Sequence, residues 1–505
     1  MKKDRVVVIG AGVGGLAAAI DLSRRGVEVT VVERAATPGG KLRQVDGIDA
    51  GPTVFTMRWA FDGLFADAGE TLADHLTLEP IDVLARHAWA GGARLDLFPD
   101  IEQTADAIGA FASARDAQGY RDFCARAKEI YQTLAPSFIG AERPSPLELV
   151  TRVGLGKLDL LWRTMPFSSL WDALEGYFVD PRLRQLFGRY ATYVGSSPLQ
   201  IPATLMLVAH VEREGLWRVH GGMYEIARAL HRLAEARGAR FMFGAEVKEV
   251  LVSGGRASGV LLADGEQLSA DAVVFNGDVS ALGSGLLGAP AMAAAPATPV
   301  KARSLSAVTW CMHAQATGFP LLHHNVFFGH DYADEFDAIF RRRGITAAPT
   351  VYLAAQDRDG SSAPKTEGVE RMLVLINAPA DGDSHVYDAE TLQALSERAL
   401  ELLSQCGLQL SPARTVGFGP SAFEELFPSS GGALYGRANH GFLGTFERLG
   451  AVTGLPGLYA AGGSVHPGPG VPMAVLSARL CAARVCEDHF GRAPSTRGGL
   501  SVATG

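Results

Sequence analysis

Gly10-Ala11-Gly12-Val13-Gly14-Gly15 sits between a β-branched run and a helix-forming stretch, and no other feature constrains the fold as tightly. Val6-Val7-Val8-Ile9 predicts a short strand buried on both faces. Ala17 to Arg25 predicts a helix closed by Gly26, and Val27 to Val32 predicts the next strand. Strand, glycine turn, helix and strand make a βαβ unit. In such a unit Gly10 permits the tight turn, Gly12 lets the backbone approach a pyrophosphate, and Gly15 lets helix and strand pack closely, with Gly14 in the same loop. The open N–H groups of the helix then face the phosphates. Glu33 ends the second strand 18 residues past Gly15, placed to accept hydrogen bonds from an adenosine ribose. An acid there argues against a 2′-phosphate, and so against NADP.

The totals narrow the class. A chain of 505 residues predicts two or three domains. Much of the excess among its 59 glycines falls at 10–15 and 462–470, as expected where backbone approaches a ligand. A net charge of −8 without long runs of like charge offers no basic face for nucleic acid. The five cysteines, Cys124, Cys311, Cys406, Cys481 and Cys486, are odd in number and widely spaced. That predicts neither a disulfide framework nor a metal site, and it fits a reducing cytoplasm. Met1-Lys2-Lys3 resembles the start of a secretory signal, but a short strand and a glycine turn follow at once, so no signal peptide is expected. The uncharged windows 279–300 and 454–478 are broken by Gly and Pro, and no transmembrane helix is expected.

Along the chain, residues 116–220 are rich in helix formers and aromatics, with Leu158, Leu161, Trp162, Phe167, Trp171 and Phe178 in a dense group. This segment reads as a helical subdomain core, as the wall of an apolar tunnel, or as a membrane-contacting cap, and these are not exclusive. From Gly221 the α/β pattern returns, with a helix closed by Gly238, strands over 241–251 and 259–262, and a buried strand at Val273-Val274-Phe275. The expected organisation is a discontinuous dinucleotide-binding domain (1–58, 221–300 and 445–490), a substrate domain (59–115 and 301–444), a helical cap (116–220) and a disordered tail (491–505).

Three further stretches select the dinucleotide. Pro38-Gly39-Gly40-Lys41-Leu42-Arg43 follows Glu33-Arg34, and Asp49-Ala50-Gly51-Pro52-Thr53 comes soon after. Near the end, Gly457 to Met473 (GLYAAGGSVHPGPGVPM) reads as strand, bulk-free loop and then helix from about Ala474. These stretches resemble the flavin amine-oxidase and phytoene-desaturase superfamily, and the last resembles the closing motif of bacterial-type phytoene desaturases. The superfamily usually has Gly-Gly-Arg where this chain has Gly39-Gly40-Lys41, a point charge in place of a fork. The resemblance covers nearly the whole chain. It is closest to the 1-hydroxycarotenoid 3,4-desaturases, also called methoxyneurosporene dehydrogenases, through Asp49–Arg58 (DAGPTVFTMR), Leu186–Gly195 (LFGRYATYVG), Leu322–Phe328 (LHHNVFF), Tyr352–Arg358 (YLAAQDR) and Val471–Ala474 (VPMA).

The resemblance implies an α/β fold: a Rossmann-like FAD-binding domain of the glutathione-reductase/amine-oxidase type, an α+β substrate domain and a helical cap. It implies FAD held by the three glycine loops, with Arg34, Gly40, Lys41 and Arg43 in the second motif. Gly51, Pro52 and Thr53 would run beneath the flavin, and Val247, Gly463, Ser464, Val471, Pro472 and Met473 would complete its contacts. It implies removal of hydrogen from a CH2–CH2 unit beside a polyene, with phytoene- or neurosporene-type desaturation as the alternative. One hydrogen leaves as hydride to FAD and the other as a proton, and quinone or oxygen takes the electrons onward. A flavin amine oxidase and a non-catalytic prenyl-binding escort are the competing classes. No catalytic base is evident, and His466 and Arg189 are weak candidates. The polar run His323-His324-Asn325, flanked by apolar residues, is a candidate for recognising a substrate hydroxyl, or forms a turn that bonds its own backbone. A carotenoid lives in the bilayer, so peripheral membrane association is expected, with Arg152, Lys157 and Arg163 beside the aromatic group.

Overall fold

The computed structural model describes residues 4–154, 156, 158–358 and 368–491. Lys157 and the expected tail beyond Gly491 lie outside the described residues.

Five parallel strands form the first sheet, in the order Leu458–Ala460, Ala272–Phe275, Arg5–Ile9, Glu28–Glu33 and Arg240–Phe243. Alternation along the central strand shows why it is apolar throughout. Val6 and Val8 pack with the helices Val13–Arg24, Tyr224–Ala236 and Val471–Phe490, whereas Val7 and Ile9 face the antiparallel layer Val247–Ser253, Arg256–Leu262 and Gln267–Ser269. The stretch expected as one strand over 241–251 is two, broken at Gly244 (φ +67°), because its halves serve different sheets. The C-terminal helix starts at Val471, three residues earlier than expected, with Pro472 in its first turn where no N–H is needed.

The second sheet has seven strands, in the order Gln409–Phe418, Ser306–Thr317, Glu370–Ala378, Val351–Ala355, His324–Phe328, Ala85–Trp89 and Arg94–Leu97. Only His324–Phe328 and Ala85–Trp89 run parallel. On one face Trp310, Leu353 and Val374 pack against Leu395, Leu402 and Leu403 of the helix Ala389–Gln405. The opposite face presents Thr309, Tyr352 and Leu373 to a cavity.

Helices cover 101–213, beginning with Ile101–Phe111 and Ala114–Leu134 and ending with Leu207–Arg213. Side-chain caps start several of them: Ser113, Ser169 and Asp180, and Ser145 in a reciprocal capping box with Glu148. The dense aromatic group divides. Leu170, Leu174 and Phe178 are core, while Leu158, Trp162 and Phe167 are 50%, 72% and 66% exposed. Trp171 packs against Tyr332, with ring centroids 6.0 Å apart. Among the described residues no helix is long and apolar enough to cross a membrane.

Candidate functional site

A cavity of about 590 Å3 begins at the C-terminal ends of the first sheet's strands and continues to the open face of the second sheet. Gly10, Gly12 and Gly14 line its mouth, next to the start of the helix Val13–Arg24. Gly15 lies behind them: a Cβ there would stand 2.0 Å from the Gly10 carbonyl oxygen, so only glycine lets this helix and strand meet. The Glu33 carboxylate accepts from the backbone N–H groups of Ala11 (2.7 Å) and Ala35 (2.8 Å), one on each oxygen. A carboxylate has about four lone-pair positions, so two remain for ribose hydroxyls.

The second glycine motif is stitched to the first. Gly39 N–H donates to Ala11 O (2.9 Å), and Gly40 stands against Gly12. Lys41 lines the cavity and donates to Leu434 O (2.6 Å), with its ammonium 5.1 Å from the Phe427 ring. Burial lowers its pKa, partly opposed by the negative field of Asp278. Arg43 stacks on Phe418 at 4.4 Å, and burial lowers its pKa too. One Arg43 guanidinium nitrogen, Nη2, is buried without a hydrogen-bond partner among the described residues. Arg34 lies at the rim and donates to the carbonyls of Glu425 and Leu426.

Gly51, Pro52 and Thr53 line the floor. A Cβ on Gly51 would sit 1.8 Å from Lys41 O, which explains the residue there. Asp49 takes no part in the lining. It caps the helix Tyr224–Ala236, accepting from Met223 N–H (2.6 Å) and Tyr224 N–H (3.2 Å). Val247, Gly463, Ser464, Val471, Pro472 and Met473 complete this half of the cavity. A second helix N-terminus, at Val471, therefore meets the same space as the first.

The sequence reading missed the segment Asn276-Gly277-Asp278. It lines the cavity after the strand Ala272–Phe275, and a strand end beside the glycine loop was the available signal. Asn276 donates to Gly10 O (3.3 Å), and Asp278 Oδ2 is buried without a partner among the described residues. Two helix starts, bulk-free glycine loops, an acid with spare lone pairs, and an unpartnered Arg43 donor together suit an anionic dinucleotide.

The far half is walled by Val208, Val211, Val326, Leu373 and Leu375, interrupted by a polar group. Arg189 belongs to it, donating to the Tyr193 hydroxyl (3.1 Å) and lying 3.7 Å from Glu212 Oε1. Tyr190 donates to Glu212 Oε2 (2.5 Å), and Tyr193 donates to Oε1. Burial opposes the charge of Arg189, but Tyr193 and Glu212 outweigh it and its pKa is raised. Tyr352 also faces the cavity, with its hydroxyl 2.8 Å from Thr53 Oγ1 and 2.7 Å from His324 Nδ1. Burial holds His324 well below the usual histidine range.

The remaining sequence candidates lie off the cavity. His466 is buried, with Nε2 at 3.0 Å from Phe138 O and 2.9 Å from Ala141 O, and burial pushes its pKa down to about 4. That geometry is a loop tie, not the position of a base that reaches a substrate. Asn325 closes its own turn: Oδ1 accepts from Leu322 N–H (2.9 Å), and Nδ2 donates to Leu322 O (2.6 Å) and Leu353 O (3.3 Å). His323 bonds Arg358 O (3.1 Å). Of the polar run only His324 reaches the cavity wall, and it does so through Tyr352.

Comparisons with known proteins agree with this geometry. Residues 13–486 match the family described as flavin containing amine oxidoreductase. The chain is 52% identical to a hydroxyneurosporene desaturase of Rubrivivax gelatinosus, over 99% of this chain and 98% of that protein. It is 43% identical to a hydroxyneurosporene desaturase of Cereibacter sphaeroides, over 97% and 98%. Among solved structures, wild-type putrescine oxidase bound to putrescine matches at TM-score 0.59 and 17% identity, over 97% of this chain and all of that one. An oxidoreductase from Methanosarcina mazei matches at 0.59 and 18%, over 96% and 100%. These two structures support the fold. With a glycine-lined dinucleotide groove opening into an apolar chamber, the chain belongs to the flavin-containing amine oxidoreductase family and, within it, to the FAD-dependent carotenoid desaturases.

Proposed function

We propose that this enzyme desaturates the C3–C4 bond of a 1-hydroxycarotenoid. The observation that carries the reading is the continuous cavity, in which a dinucleotide groove opens into a largely apolar chamber broken by a few buried polar side chains. The names of the relatives support the same substrate class. Bound FAD supplies the acceptor for the hydride removed from the carotenoid. Gly10, Gly12, Gly14, Gly40 and the two helix starts would receive the pyrophosphate, and Glu33 would hold the ribose. Thr53, Gly463, Ser464, Val471, Pro472 and Met473 would complete the contacts to the cofactor. Val208, Val211, Val326 and Leu375 exclude water and hold the polyene. A carbocation developing beside a polyene is delocalised, so proton loss needs no strong protein base.

Quinone or oxygen takes the electrons onward, and the enzyme works in the cytoplasm on the membrane surface. Exposed Trp162, Phe167, Leu158, Leu147 and Leu443 insert into the bilayer that holds the substrate. The Trp162 ring lies 5.7 Å from Phe167, and Phe167 lies 4.8 Å from Phe442, so these three rings form one run. Pigment analysis of carotenoid-producing cells with and without the gene tests the activity. Accumulation of a 3,4-saturated 1-hydroxycarotenoid without the gene, and its 3,4-didehydro product with it, is expected. An unchanged pigment profile overturns the assignment.

A further inference from the structure

The apolar chamber contains hydrogen-bonding capacity that the protein leaves unused. Tyr332 lines the cavity and is buried, yet its hydroxyl has no hydrogen-bond partner among the described residues. Its ring is held by Trp171, Phe328 and Phe336, at 6.0, 6.0 and 5.0 Å between centroids. Arg189 is also buried, and its Nε and Nη2 make no hydrogen bond among the described residues, since Glu212 stands 3.7 Å from Nη2. Buried polar groups are normally satisfied, and an unmade bond is costly. Tyr352 completes the picture. If its hydroxyl donates to neutral His324 and accepts from Thr53, one lone pair remains. Arg189, Tyr332 and Tyr352 line the same cavity, and the Tyr332 ring packs beside Gly188, the residue before Arg189, with its edge 3.4 Å from where a Cβ there would stand.

An alcohol has one proton to give and two lone pairs to fill. Unused donors on Arg189 and Tyr332, and one unused acceptor on Tyr352, match that need. We propose that Arg189, Tyr332 and Tyr352 form the subsite for the terminal tertiary alcohol of the carotenoid. Glu212, with Tyr190 and Tyr193, positions the guanidinium, and His324 positions the Tyr352 hydroxyl. This rests on the 1-hydroxycarotenoid reading above. It moves hydroxyl recognition from the run His323-His324-Asn325 to the residues that face the chamber. The hydroxyl oxygen stands only three bonds from C3, so a group that grips it also fixes which carbons react. An unhydroxylated carotenoid leaves the three polar groups buried and unpaired, which is how such a site rejects it.

Tyr332→Phe is the cleanest probe, because the lost hydroxyl has no protein partner and its removal leaves the fold intact. Tyr352→Phe is the second. The holoenzyme is compared on a 1-hydroxycarotenoid and its unhydroxylated parent in mixed micelles, by kcat/KM and by equilibrium binding from quenching of protein fluorescence. Each variant is expected to lose about tenfold on the hydroxylated substrate in both readouts, and little on the parent. If the wild type discriminates but both variants keep full discrimination, or lose equally on both substrates, the subsite is overturned and the activity stands. If the wild type itself shows no preference for the alcohol, the substrate reading falls and takes the subsite with it.

Discussion

The carboxylate of Glu33 accepts the backbone N–H of Ala11 at 2.7 Å, tying the end of the second strand to the glycine turn that follows the first. One acid thus braces the loop and keeps lone pairs for the ribose. Glu33→Ala is expected to weaken FAD binding at least tenfold. Gly12→Val, whose Cβ would already stand 3.0 Å from Asn276 Nδ2, is expected to abolish it. The flavin absorbance retained by each purified variant is the measurement, and stoichiometric FAD at unchanged affinity in either one would refute the placement.

Asn325 is a folding residue in this structure. Asn325→Leu leaves the Leu322 N–H without its acceptor, at a cost of about 1–3 kcal/mol. Denaturant midpoints are expected to fall accordingly, while the preference between hydroxylated and unhydroxylated carotenoid stays as in the wild type. A selective loss on the hydroxylated substrate would return Asn325 to the binding site.

Acid should destabilise the protein in a defined window. Burial pushes His323, His440 and His466 down to about 4, and holds His87 and His324 well below the usual range. Below about pH 6.5 the unfolded chain binds protons at these positions and the folded chain does not. Their contribution is therefore fully present above pH 6.5 and is lost as the pH drops toward 4, by at most about 1.4 kcal/mol per pH unit for each histidine. Denaturant titrations at pH 7.5, 6 and 5 measure it, and His466→Gln should make the slope shallower. A slope unchanged by that substitution would show that His466 does not titrate on unfolding.

Membrane binding separates two tryptophans that look alike in the sequence. Trp162→Ala with Phe167→Ala removes exposed rings and is expected to lower liposome partitioning at least about tenfold. Trp171→Ala removes a ring packed on Tyr332 and is expected to lower stability with little change in partitioning. Flotation that survives the double substitution would place the docking surface elsewhere.

The sequence reading finds one dinucleotide motif, and the proposed FAD site uses it. Turnover by purified enzyme on dispersed carotenoid is expected without NAD(P), with a quinone or oxygen as oxidant. An absolute requirement for NAD(P)+ would contradict this.

The cofactor half was legible because backbone geometry dictates it. Gly10, Gly15 and Gly51 hold positions where a side chain would strain or collide, and such demands leave glycines at fixed spacing. The chamber was not legible in the same way. Arg189, Glu212, Tyr332 and Tyr352 come from a helical segment, another helix, a third helix and a sheet strand, and only tertiary packing brings them together. The run 323–325 divides between its two readings, with Asn325 closing a turn on its own backbone, for a related reason. Alternation along a strand sends neighbours to opposite faces, so three adjacent polar residues cannot share one wall. His466 sat inside a glycine-rich cofactor motif, yet its ring turns away to the carbonyls of Phe138 and Ala141.

The five-stranded sheet also governs when a nascent chain becomes competent. Its outer strand, Leu458–Ala460, and the helix Val471–Phe490 are made long after the strand Ala272–Phe275 that the outer strand pairs with. A chain interrupted anywhere before them carries the glycine turn and Glu33 but lacks Gly463, Ser464 and Val471, which close the groove. Cofactor retention thereby reports synthesis through Val471–Phe490: a chain that stops short of that helix is expected to stay colourless.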